Sequence, residues 1–110
     1  MSTTTPPAVD RYLKAADSRD AQAVADCFTP DGTVLDEGKT YRGRDEIAGW
    51  RTALAGQFTY TSTVTGVEEP GEDGEYRLNV RVEGDFPGGV ADLRFGFTLR
   101  DDRIAALRIV

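Results

Sequence analysis

The sequence predicts an α+β domain in which three helices precede a long, mostly antiparallel sheet. Helical spacing of apolar residues is confined to positions 8–54. Strict alternation runs through the second half, with Tyr76, Leu78, Val80 and Val82 on one side and Arg77, Asn79, Arg81 and Glu83 on the other. Turn-forming Pro and Gly residues separate the β segments. Helices placed first in the chain and strands last segregate the helices to one face of the sheet.

The elements follow in order. Val9, Tyr12, Leu13 and Ala16 fall at i, i+3, i+4 and i+7, which makes a helix over about Ala8–Asp17 behind Pro6 and Pro7. Residues 1–7 read as a disordered lead and 8–110 as a single domain, the number that 110 residues support. Asp20 is placed to N-cap a second helix whose apolar face is Ala21, Val24, Ala25 and Phe28. Cys27 on that stripe reads as a small core hydrophobe. Thr29-Pro30-Asp31-Gly32 has turn chemistry. A strand Thr33–Glu37 then meets Thr40-Tyr41 through a two-residue turn at Gly38-Lys39. That register sets Asp36 opposite Tyr41 and Glu37 opposite Thr40. Alternation gives Asp36 the face of Val34 and Glu37 that of Leu35.

A third helix follows Gly43, with Ile47, Trp50 and Leu54 on one side and Asp45 and Glu46 in its first turn, where the helix dipole favours carboxylates. Positions 57–68 read as strand. A Pro70-Gly71…Gly74 turn, a strand 75–83 and a turn at Phe86-Pro87-Gly88-Gly89 come next. Residues 90–100 place Ala91, Leu93, Phe95, Phe97 and Leu99 on one face and Asp92, Arg94 and Thr98 on the other. The last strand runs from Arg103 to Val110. Arg77, Arg81 and Arg94 with Glu83 and Asp92 form a polar ladder on the outer face.

Composition excludes several function classes. Net charge −6 and pI near 4.6 oppose nucleic acid and anionic membrane as partners. No apolar run approaches a membrane span. The N-terminus has no basic and apolar leader, and a lone cysteine fits a reducing compartment, so the expected location is cytoplasmic. With no histidine in the chain there is no Ser-His-Asp triad, no Cys-His pair and no histidine-held metal. No metal and no cofactor are expected. Acid–base chemistry falls to carboxylates, tyrosines, lysines and the thiol.

One segment carries a family resemblance. "VDRYLKAADSRDAQAVADCFTPDGTVLDEGKTYRGRDEI", residues 9–47, resembles the start of the ketosteroid isomerases: an RY-x3-A helix, a D-x4-V-x2-F helix, a D-x-T-V-x-D strand and an R-x-G segment. The element order is similar to that of the nuclear transport factor 2-like superfamily, which includes SnoaL-type cyclases. The resemblance implies a cone, with a curved sheet wrapped around three helices and a pocket at its open end. It places the isomerase general base on Asp36, projecting into the cone with Glu37 on the outer side, and the oxyanion-donating tyrosine on Tyr12. The family's second, carboxylic donor falls at about Phe95, so that donor is missing here. Asp92 lies three residues away on the opposite face and does not replace it.

The chemistry asks for these residue types. Moving a proton next to a carbonyl needs a base for the α-proton and a donor for the enolate oxygen. Tyr41, Trp50 and Phe95 are candidate substrate-binding residues, Phe95 in the position of the missing donor. The resemblance implies a small hydrophobic, carbonyl-bearing ligand, such as a steroid or polyketide ring, and a homodimer through the outer sheet face. Two alternatives stand beside it: a non-catalytic ligand-binding or dimerising protein of the same fold, and an epoxide hydrolase-like enzyme.

Overall fold

The computed structural model describes residues 6–68 and 74–110. Helices α1 (Pro7–Asp17) and α2 (Ala21–Asp26) lead into strands β1 (Phe28–Asp36) and β2 (Lys39–Arg42). Helix α3 (Arg44–Gln57) follows, then β3 (Tyr60–Glu68), β4 (Tyr76–Gly84), β5 (Val90–Arg100) and β6 (Arg103–Ile109). Of the expected lead, residues 1–5 lie outside the described residues, and Pro7 already occupies the first helical turn, where its missing N–H has no partner to lose. The turn expected at Pro70-Gly71 also lies outside them. Asp20 caps α2 as its spacing implied, its carboxylate accepting from Ala23 N at 3.0 Å.

Two local readings are corrected. Thr29–Gly32 is not a turn but part of β1, which pairs with β6 at Phe28 and again from Thr33 with a register shift between them. Pro30, which has no N–H to give a ladder, is accommodated in that irregularity. A Cβ at Gly32 would come to 3.0 Å from the Phe28 side chain, so glycine permits the close approach. The second correction concerns the β1–β2 hairpin. Its turn is Glu37-Gly38, with φ of 53° and 76°, and the pairs are Asp36↔Lys39, Leu35↔Thr40 and Val34↔Tyr41. A two-residue turn of this hand needs positive φ at both positions and favours Gly at the second, which displaces the register by one residue. Tyr41 therefore stands opposite Val34, diagonal to Asp36 and still on its face.

A smaller difference lies at the end of α3. Gln57, read as strand, is its last helical residue, and the Phe58 N–H closes the helix on Leu54 O at 3.0 Å.

The six strands form one sheet in the order β2-β1-β6-β5-β4-β3. Only β1 and β6 run parallel, so the sheet is mostly antiparallel. One row across it matters for the site: Asp36 pairs with Ile109, Ile109 with Phe95, and Phe95 with Leu78. The helices cover the inner face, and the core lies between. Tyr12, Phe28, Phe97, Ile47, Leu78, Ile104 and Leu107 are the largest fully buried side chains.

The outer face carries the three expected arginines, with Glu68 and Glu75 beside the expected Asp92 as their partners. Arg81 pairs with Asp92 at 3.1 Å and Arg94 with Glu68 at 2.8 Å. Glu75 lies down against the sheet with its side chain only 9% exposed, held by Arg77 and Arg108, each at 2.8 Å. Gly96 makes room for it, because a Cβ there would collide with the Glu75 carboxylate.

Candidate functional site

The site is built where β1 ends. Val34 is fully buried, and two residues on, the same face of the strand emerges at Asp36, which is half-buried. Helix α3 brings the partner. Gly43, at φ 85°, turns the chain directly from β2 into the helix, and Arg44 pins its first turn to Phe28 O through two hydrogen bonds of 3.1 and 2.8 Å. Glu46 Oε1 accepts from Arg42 N at 3.0 Å, which ties the same turn to β2. Ile47 anchors the helix in the core, and one turn later Trp50 faces the strand end. Its indole Nε1 donates to Asp36 Oδ2 at 3.0 Å.

This hydrogen bond fixes the orientation of the carboxylate. It occupies one oxygen and leaves Oδ1 without a partner among the described residues. The Trp50 ring is held in turn by Tyr41, 6.0 Å away between centroids, and by the Arg51 guanidinium, 5.3 Å from the ring. A concavity of about 410 Å³ opens beside them, lined by Asp36, Tyr41 and Trp50 together with Glu37, Lys39 and Glu46. Ala53 and Leu54 of α3 add an apolar wall.

The structure brings Asp36, Tyr41 and Trp50 together. Tyr12 and Phe95 stand elsewhere. Tyr12 is buried among aromatic edges, 6.2 Å from Phe28 and 5.6 Å from Phe97, and does not line the concavity. Burial pushes its phenol well above the ordinary tyrosine range. The Arg51 charge works against that rise, and the Tyr60 and Asp36 charges add to it. Tyr12 therefore stays protonated at neutral pH. Phe95 sits in the core in the same sheet row as Asp36, with Ile109 between them, and offers no donor. Asp92 is exposed on the outer face, as alternation required.

Sequence reasoning missed four side chains. Glu37, expected on the outer side, is a turn residue that lines the concavity. Lys39 enters through the corrected hairpin register. Glu46 was read only for its place in the first helical turn. Arg51 is buried, 8% exposed, and its Nη2 reaches Ala16 O at 3.5 Å across to α1. Its position four residues after Ile47 was the available signal. Among the described residues no group of three Cys, Asp or Glu side chains converges to hold a metal ion. Among the same residues no helix is long and apolar enough to cross a membrane.

Residues 9–107 match the SnoaL-like domain. The chain belongs to the SnoaL-like family. A candidate polyketide cyclase from Sinorhizobium meliloti is 31% identical and has a TM-score of 0.88, with 96% of this chain and 95% of that one covered. The Δ5-3-ketosteroid isomerase from a Mycobacterium species shares the fold at 19% identity and a TM-score of 0.76, covering 94% and 88%. The epoxide hydrolase/cyclase-like enzyme of pyran ring formation in polyether salinomycin does so at 20% and 0.77, covering 93% and 85%. No curated protein matches the chain. The SnoaL-like fold is thus that of the nuclear transport factor 2-like cone, and it is shared by cyclases, isomerases and epoxide hydrolase-like enzymes.

Proposed function

We propose that this SnoaL-like protein binds a small, largely apolar carbonyl compound at the Asp36 concavity and moves a proton next to the carbonyl without a cofactor. The observation that carries the reading is the Asp36–Trp50 hydrogen bond. It ties one oxygen of a carboxylate that lines the concavity to α3 and leaves the other without a partner among the described residues. A base fixed in that way meets the geometric demand of general-base catalysis, which is worth about 10²–10⁴ in rate. Tyr41 and Leu54 supply apolar contact for the ligand ring.

Tyr12 is the proposed donor to the enolate oxygen, since its burial keeps the phenol protonated. That role requires the carbonyl to reach deeper than the residues that line the concavity. With phenylalanine at position 95, the oxyanion lacks its second donor, a loss of roughly 10²–10³ in rate on the scale of one such group. The reading therefore favours a cyclase- or isomerase-type substrate whose enolate is stabilised by its own conjugation. Self-association through the outer sheet face belongs to the same reading and rests on the resemblance.

The test is conversion of a β,γ-unsaturated ketosteroid to its conjugated isomer, followed by ultraviolet absorbance, for wild type beside Asp36→Asn. Turnover in wild type that is lost in the variant supports the reading. Equal turnover in both refutes the role of Asp36, and no turnover in wild type removes the ketosteroid as substrate.

A further inference from the structure

We infer that the concavity at Asp36 takes a ligand bearing an ammonium group, with the cation at the rim against Tyr41 and an apolar body toward Ala53, Leu54 and Trp50. The inference rests on this concavity being the ligand site, and it does not require Asp36 to act as a base.

Charge is the first argument. Asp36, Glu37 and Glu46 against Lys39 leave the lining with a net charge of −2. A concave surface of one sign concentrates ligands of the other and repels those of its own. These carboxylates also have capacity to spare. Asp36 uses Oδ2 on Trp50 and Glu46 uses Oε1 on Arg42 N, and their second oxygens have no partner among the described residues.

The rings are the second argument. Cations are drawn to the faces of Trp and Tyr. Arg51, itself buried, stands over the Trp50 ring, whereas the half-exposed Tyr41 ring at the rim has over it only the exposed Lys39, a cation that a ligand can replace.

Lys39 supplies the third. It is the cross-strand partner of Asp36 and shares the concavity with three carboxylates, yet among the described residues it makes no ion pair. Its Nζ stands over the Tyr41 ring instead, 5.4 Å from the centroid. The chain thus places its own ammonium where the ligand's belongs. Because Lys39 is exposed and long, a ligand cation displaces it into water at little cost.

Three probes of one shape decide the matter: cyclohexylmethylamine, cationic at neutral pH, neutral cyclohexylmethanol and anionic cyclohexanecarboxylate. Trp50 is the only tryptophan of the chain, so intrinsic fluorescence reports binding at this site. The amine is expected to bind about tenfold more tightly than the alcohol, with the carboxylate weakest. Lys39→Ala is expected to tighten amine binding alone. Tyr41→Leu, and separately Glu37→Gln with Glu46→Gln, are expected to bring the amine-to-alcohol ratio toward one. An alcohol that binds as well as the amine overturns the inference and leaves the ligand site standing. A preference for amine that survives both sets of substitutions overturns it as well. Failure of all three probes to bind overturns the inference and the ligand site together. Loss of ketosteroid turnover with the amine preference intact leaves the inference in place.

Discussion

Replacing Glu75 by glutamine tests how the outer face holds the sheet together. The carboxylate accepts from Arg77 Nε at 2.8 Å and from Arg108 Nη2 at 2.8 Å and Nε at 3.3 Å. Glutamine keeps one acceptor, loses the charge and turns an NH₂ toward an arginine. A hydrogen bond to a charged group is worth roughly 1.5–3 kcal/mol. The two arginine side chains are 27% and 46% exposed, so water recovers much of their solvation when the bonds break. The net cost is then about 2 kcal/mol. At an unfolding entropy of about 2.1 cal/mol/K per residue, that lowers Tm by roughly 9 °C for a domain of this length. The pH dependence is the sharper check. Burial works against the Glu75 charge, but the hydrogen bonds and charges of Arg108 and Arg77 prevail and hold its carboxyl below the ordinary value of 4.5. A depressed folded-state pKa gives stability that is fully present above the unfolded value and is lost as pH falls through the folded one. Urea midpoints of wild type and Glu75→Gln are therefore expected to differ by a constant amount at neutral pH and to converge below about pH 4. A gap that stays the same from neutral to acid pH would refute the reasoning.

Gly96→Ala drives a Cβ into the Glu75 carboxylate, with an expected cost of about 2 kcal/mol in a urea melt and a clearly smaller cost in a Glu75→Ala background. Glu37→Asn puts the preferred residue at the first positive-φ position of the β1–β2 turn, and a gain of about 0.5 kcal/mol is expected from thermal melts. Trp50→Phe keeps an aromatic ring but removes the donor to Asp36 Oδ2, with an expected loss of about 1 kcal/mol in chemical denaturation. No loss at all would show that water replaces the indole N–H.

The fold was largely legible because burial imposes period. Tyr76, Leu78, Val80 and Val82 alternate since one face of β4 meets the core, and Val9 and Tyr12 recur since one face of α1 does. The family segment at 9–47 then supplied the curvature of the sheet around the helices, which no local pattern states. Turn geometry was less legible. Glycine was assigned to the first position of the hairpin turn, whereas the sign of φ favours it at the second, and that one-residue difference moved Lys39 and Glu37 into the site. Thr29–Gly32 has the composition of a turn but lies within β1, because β1 pairs with β6 on either side of it, at Phe28 and from Thr33, and those partners stand some seventy residues away.

The site was legible in part. Asp36 could be read from the resemblance and from its face shared with Val34, and Trp50 from its place on α3. Their hydrogen bond depends on how α3 crosses β1, a tertiary fact. Arg51 was hidden by type: an arginine on a helix is ordinarily a solvated charge, and only the tertiary packing of α3, which lets Arg51 reach Ala16 O, buries it.

The most direct test of the central claim separates binding from turnover at Asp36. Affinity for the conjugated ketosteroid product, read from Trp50 fluorescence, is measured in wild type and Asp36→Asn beside the rate of isomerisation of the β,γ-unsaturated ketone. Asp36→Asn is expected to bind the product as wild type does while its kcat falls by about 10²–10⁴. Rates that fall only in step with affinity, or that do not fall, would contradict the assignment of Asp36 as the base.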